Sequence, residues 1–186
     1  MTYLLIGITV LFLLIILYFL LIYNKLVKLS NNIKEAFSTM DIYLRKRWDL
    51  IPNLVETVKG YAKHEKETLK EIVELRNNIK SYDKLSNDEK IKTNQDLGNK
   101  LNKLIAIAES YPELKANDNY INLQNNLSNI EDEIAQSRKY YNAIIRDFNN
   151  KVEMIPSNIV AKILGYKSKK MYEIDDEKRE NVKVNL

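Results

Sequence analysis

The stretch YINLQNNLSNIEDEIAQSRKYYNAIIRDFNNKVEMI, residues 120–155, decides the fold. Its apolar side chains fall at Tyr120, Leu123, Leu127, Ile130, Ile134, Tyr141, Ile145, Phe148, Val152 and Ile155. Steps of three and four recur along it, as a helix buried along one face requires. The same spacing recurs elsewhere. Ile22, Leu26, Leu29, Ile33, Ala36, Met40 and Leu44 form one run. Val55, Val58, Ala62, Leu69, Ile72 and Ile79 form a second, after Pro52, and Leu97, Leu101, Leu104 and Ala108 a third, weaker one. No stretch alternates as a strand would. The expectation is an all-α chain whose long helices, joined by short links, pack as an antiparallel up-and-down four-helix bundle.

The breaks between these runs are legible. SYDKLSNDEK (81–90) offers Ser86 or Asn87 as an N-cap, and ESYPELKAND (109–118) carries Pro112 and ends in Asn117 and Asp118. Pro156 ends the fourth run. RKRWDLIPNLVETVKGY (45–61) gathers three basic residues, the single Trp48, Pro52 and Gly60. It reads as the corner between the first and second helices: Trp48 and Leu50 cap the bundle end, Pro52 opens the next helix and Gly60 admits a close helix approach.

The N-terminus carries the clearest physical signal. MTYLLIGITVLFLLIILYFLLIYN has no charged side chain before Lys25. From Tyr3 to Tyr23 a helix rises about 30 Å, the thickness of a bilayer's hydrocarbon core. Tyr3 and Tyr23 then fall at the two interfaces. A cleaved signal peptide would show a basic start, a shorter apolar run and a small-residue cleavage site, and none is present. Residues 1–23 are therefore expected to be an uncleaved anchor, 24–165 the bundle, and 166–186 a charged tail, flexible or extended. Lys25, Lys28 and Lys34 follow the span and no cationic side chain precedes it. The positive-inside rule then places a short N-terminus outside and the bundle in the cytoplasm.

Composition narrows the chemistry. Among 186 residues there is no cysteine and one histidine, His64. That excludes disulfides, thiolate nucleophiles and Cys-ligated metal, and leaves no second histidine for a zinc or di-iron helix motif. His64 reads as a solvated surface residue, and Glu131, Asp132 and Glu133 as a solvated helix face. No catalytic, cofactor-binding or metal-binding residue is assigned, and no small-molecule substrate is expected. The net charge of +4 is slight for so charged a chain, and basic and acidic residues alternate, which argues against nucleic acid. Arg76 and Arg138, inside or beside apolar runs, and the repeated Tyr141-Asn142 and Phe148-Asn149 pairs, read as polar groups that hydrogen-bond across a helical seam.

Two places are candidates for a partner surface. One is Arg45, Arg47 and Trp48. The other is PSNIVAKILGY (156–166), a short helix with Ser157 as N-cap, Gly165 just past its end, and Ile159, Val160, Ile163 and Leu164 on one face. So short a helix is not stable alone, so it has to dock on its own bundle, a partner or a second copy of the chain.

Three blocks resemble the LemA family of bacterial membrane proteins: RKRWDLIPNLVETVKGYAKHEKETL (45–69), LIAIAESYPELKAN (104–117) and RKYYNAIIRDFNNKVEMIPSNIVAKILGY (138–166). The resemblance covers nearly the whole chain; the central loop, 80–95, matches no recognisable block. It implies a single-pass protein of the inner membrane with an N-terminal anchor, a soluble antiparallel helical domain, and no catalytic residue to carry over. Some family members are tied to membrane compartments such as magnetosomes. The expected role is a membrane-tethered, cytoplasm-facing scaffold that contacts lipid through residues 3–23 and a second copy or a protein partner through its bundle. The rival is a regulatory adaptor that relays envelope state to one cytosolic protein.

Overall fold

Helix α1 (Thr2–Tyr61) continues for 60 residues with Pro52 inside it, so residues 45–61 are not a corner. The computed structural model describes residues 1–61, 66–77 and 82–172, all-helical and without a strand among them. Proline removes one backbone donor and strains the preceding turn, at a cost of about 3 kcal/mol. Against this, Leu44, Trp48, Ile51, Leu54, Val55 and Val58 form one buried face that passes through the proline without a change of spacing. Each such side chain contributes roughly 1.5–3 kcal/mol on burial, so packing outweighs the break. Pro52 itself is only half-buried and Asn53 is exposed. Gly60 has open space where a Cβ would stand, so it serves no close approach.

After α1 come α2 (Lys66–Asn77), a 3-10 turn at Tyr82–Lys84, α3 (Asn87–Glu109), the single turn α4 (Pro112–Lys115), α5 (Asp118–Glu153) and α6 (Ser157–Ile163). His64, the side chain of Arg76 and tail residues 173–186 lie outside the described residues. Several caps fall where the sequence places them. Ser86 opens α3 with a reciprocal capping box: its hydroxyl accepts from the Glu89 N–H, and the Glu89 carboxylate accepts from the Ser86 N–H at 2.8 Å. Asn117 Oδ1 accepts the Tyr120 N–H at the start of α5. The segment expected as part of a central loop is helical from Asn87 onward.

The chain divides into two units. Among the described residues the larger comprises those of 39–137, with Tyr172. Its apolar core takes Trp48, Ile51, Leu54, Val55 and Val58 from α1, Leu69 and Ile72 from α2, Leu97, Leu101, Leu104 and Ala108 from α3, Leu114 from α4, and Tyr120 and Leu127 from α5. The run that looked weakest, on α3, is buried throughout. In this unit α1 and α5 are antiparallel: Tyr43 stands by Glu133, Arg47 by Glu131 and Tyr61 by Asn117.

The other unit comprises residues 1–38 and 138–171. Leu26, Leu29, Ile33, Ala36 and Phe37 of α1 are buried here, as are Tyr141, Ile144, Ile145 and Phe148 of α5. Phe37 and Tyr141 meet edge to face, with ring centroids 5.7 Å apart. The helix α6 docks by Ser157, Val160 and Ala161. Ser157 is its first residue and not its cap; the hydroxyl donates back to the Met154 carbonyl. At the other end Gly165 takes φ +75°, with Gly165 N–H to Lys162 O and Tyr166 N–H to Ala161 O. That paired closure needs a left-handed residue, which glycine supplies without a Cβ clash.

Beyond α6 the chain is extended and fastened to α5. The Asn149 amide donates to Lys169 O at 2.8 Å and accepts Lys169 N–H at 2.9 Å. Ser168 donates to Glu153, and Tyr166 packs edge-on against Phe148. Asn149 thus bonds a backbone strap in place of a facing helix.

Candidate functional site

The larger unit contains a polar cluster centred on Asn94, whose side chain is fully buried on α3. Trp48 Nε1 donates to Asn94 Oδ1 at 2.9 Å and Arg47 Nη2 donates to the same oxygen at 3.1 Å. Both partners can only donate, which fixes which end of the amide is oxygen. Asn94 Nδ2 donates to Tyr82 Oη at 2.9 Å and to the Lys90 carbonyl at 3.0 Å. The amide's hydrogen-bonding capacity is therefore filled.

Arg47, 5% exposed, spans three elements. From α1 its Nη2 donates to the Asn94 backbone carbonyl of α3 at 2.6 Å, and Nη1 donates to both Glu131 oxygens of α5 at 2.9 and 3.2 Å. A planar fork of fixed donors suits this geometry in a way a lysine ammonium would not. Arg47 Nε is buried without a hydrogen-bond partner. A second pair sits alongside: Lys90 Nζ meets Asp41 Oδ2 at 2.9 Å, and Tyr82 Oη donates to Asp41 Oδ1 at 2.8 Å. The cations of Arg45 and Lys90 lie 5.5 and 5.0 Å from the Tyr82 ring centre.

Burial, reinforced by the Asp41 carboxylate, holds the Tyr82 hydroxyl well above its ordinary pKa of 10.0. The folded state then favours neutral tyrosine. Stability from this group is complete below about pH 10 and is lost as pH climbs through the raised folded value. Alkaline titration of unfolding should show a steeper loss in the native chain than in Tyr82→Phe; matching curves would remove Tyr82 from the cluster.

The expected partner-surface residues separate. Arg45, Ile159 and Ile163 are exposed, Leu164 is half-buried, and Arg47, Trp48 and Val160 face inward. Arg47 and Trp48 are drawn in because Asn94 and Glu131 supply their acceptors. Glu131 accordingly is an ion-pair partner as well as a face residue, while Asp132 and Glu133 stay exposed. Asp41, Tyr82, Lys90 and Asn94 were not foreseen. For Lys90 and Asn94 the signal was a stripe at helical spacing with Leu97 and Leu101, its polar members toward the core; Asp41 and Tyr82 lie outside that stripe. Among the described residues no group of three or more His, Cys, Asp or Glu could hold a metal ion. A cleft of about 440 Å³ in the same unit is lined by Asn53, Glu56, Thr57, Asn119, Asn122 and Asn126, with Leu123.

The N-terminal part of α1 is apolar enough to cross a membrane, with a mean hydropathy of 3.1, and its apolar window has no buried residue. Followed by further helices, it fits a membrane-anchored helical protein. The sequence profile of the LemA family matches residues 36–186, and the chain belongs to that family. It is 26% identical to Protein LemA of Metamycoplasma hominis over 159 residues, 86% of this chain and 72% of that protein. It is also 26% identical to Magnetosome protein MamQ of Magnetospirillum gryphiswaldense, over 78% of this chain and 62% of that protein. With Magnetosome protein MamQ 2 of Paramagnetospirillum magneticum it shares 37% identity over 70 residues, 38% of this chain and 26% of that protein. The chain thus matches less than two thirds of each magnetosome relative.

Proposed function

We propose that this protein is a membrane-tethered scaffold, with its helical body in the cytoplasm as a self-associating antiparallel four-helix arrangement, and not an enzyme. One observation carries the reading. The charged groups of the polar cluster are spent on one another, buried Arg47 on the half-exposed Glu131 and Lys90 on Asp41, leaving the cluster to lock helices together and no poised acid, base or nucleophile within it. Such a lock gives a rigid platform. The names of the relatives, which carry no enzymatic activity, support the same reading. A second reading, an adaptor for one cytosolic protein, is favoured by the asparagine-lined cleft, whose amides suit the backbone of a bound peptide.

Two measurements test this. A fluorescent reporter fused to the C-terminus should be active, and a periplasmic-type phosphatase fused there silent; the reverse pattern would put the body on the other side. Light scattering of gently solubilised chain should find more than one copy per particle. A single copy with a stoichiometric protein would establish the adaptor instead.

A further inference from the structure

The smaller unit leaves large apolar side chains uncovered at one place. Met154 and Ile155, in the turn after α5, are 61% and 82% exposed, and Ile159 and Ile163 on α6 are 59% and 69% exposed. The helix docks through Val160 and Ala161, so Ile159 and Ile163 point away from that contact. A water-facing surface rarely concentrates such residues within ten positions of chain.

Their position follows from the unit itself. Ile22, Leu26, Leu29 and Ile33 of α1 are buried, and the rest of this unit consists of residues 138–171. Starting from the Phe37–Tyr141 contact, α5 has to run back along α1 toward Ile22 to cover them. Thirteen or so residues at 1.5 Å carry it about 20 Å, from the level of Phe37 to that of Tyr23 and Lys25. The turn at 154–156 thus arrives where the apolar span of α1 ends. The chemistry around it suits an anionic interface: residues 157–172 contain Lys162, Lys167, Lys169 and Lys170 and no Asp or Glu, Glu153 at the turn accepts from Ser168, Lys169 leans on the Phe148 ring, and Lys25 and Lys28 are exposed on α1. Clusters of four or more cations beside a span suit acidic headgroups.

We propose that residues 154–163 lie in the headgroup region of the bilayer that holds α1, with Ile155, Ile159 and Ile163 dipping into the acyl boundary and the lysines on anionic lipid. This rests on the anchor reading of α1. A helix of seven residues would not bind a membrane alone, but the anchor makes the contact intramolecular.

The chain has no cysteine, so single cysteines at Phe12, Lys139 and Ile159 can each carry one environment-sensitive fluorophore. The full chain is placed in phosphatidylcholine–phosphatidylglycerol nanodiscs holding lipid quenchers at shallow or deep acyl positions. Ile159→Cys should be quenched several-fold more by the shallow quencher than by the deep one, and less when phosphatidylglycerol is omitted. Phe12→Cys should respond to the deep quencher, and Lys139→Cys, on the exposed face of α5 near the level of Phe37, to neither. Ile163→Cys repeats the measurement should Ile159→Cys not fold. If Phe12→Cys responds while both α6 probes behave like Lys139→Cys, the proposal is wrong. Probes shielded from water but not quenched, and re-exposed at one chain per nanodisc, would mean that a second copy covers the face, which also overturns it. A silent Phe12→Cys would remove the anchor and this inference with it. Shallow quenching unchanged in phosphatidylcholine alone would refute the role of the lysines.

Discussion

Asn94→Leu should destabilise the larger unit by on the order of 3–5 kcal/mol, although the two side chains are similar in size. The leucine leaves Trp48 Nε1 without its acceptor and takes one of the bonds of Arg47 Nη2. A buried donor left unpaired costs about 1–3 kcal/mol, and more when the group is charged. Asn94→Asp keeps the oxygen that accepts from Trp48 and Arg47; its second oxygen meets the Lys90 carbonyl where Nδ2 donated, but its charge is answered by Arg47, so it should lose less. Chemical denaturation of the detergent-solubilised chain, followed by helical circular dichroism, compares the two. Equal losses would mean that the two bonds donated by Nδ2, lost in both variants, govern the position, and not the acceptor offered to Trp48 and Arg47.

Phe148→Ala should have an effect of similar size by a different route. The ring is fully buried and meets Tyr166 of the strap edge to face at 5.7 Å. Truncation loses the transfer energy of the ring and leaves a cavity, together about 3–5 kcal/mol. Lys169, whose ammonium lies 6.0 Å from the ring centre, and the strap behind it lose their seat as well. Proteolysis at Lys167, Lys169 and Lys170 should therefore accelerate in the variant. A loss below about 1 kcal/mol would show that Phe148 and the strap contribute little to the smaller unit.

Ile134, Tyr141, Ile145 and Phe148 were readable as one buried face because each recurs at helical spacing on a helix with a single covered side. The anchor was readable from length and the absence of charge, and Ser86 and Gly165 from the fixed chemistry of helix ends. The turn expected at Pro52 misled because proline reports a local cost of one backbone bond, whereas the packing that overrides it comes from α2, α3 and α5, far away in sequence. The polar cluster was hidden for a related reason. A buried asparagine or arginine looks like any surface residue until the partners that satisfy it are brought together, and Arg47, Asn94 and Glu131 are separated by long stretches of chain. Arg76 and Arg138 stood out because apolar neighbours flank them locally, and for Asn94 those neighbours lie on one side only.

The reach of Arg47 has a consequence for biosynthesis. Its carboxylate partner lies 84 positions later in the chain. At ~5–20 residues per second, roughly four to seventeen seconds separate the appearance of the two at the ribosome. Throughout that interval the guanidinium lacks its counter-ion; α1 is finished early in it, at Tyr61, and α5 begins only near its end, at Asp118. The larger unit therefore completes its fold late, after the span of α1 has been available to the bilayer, so that membrane engagement comes before closure of the interior.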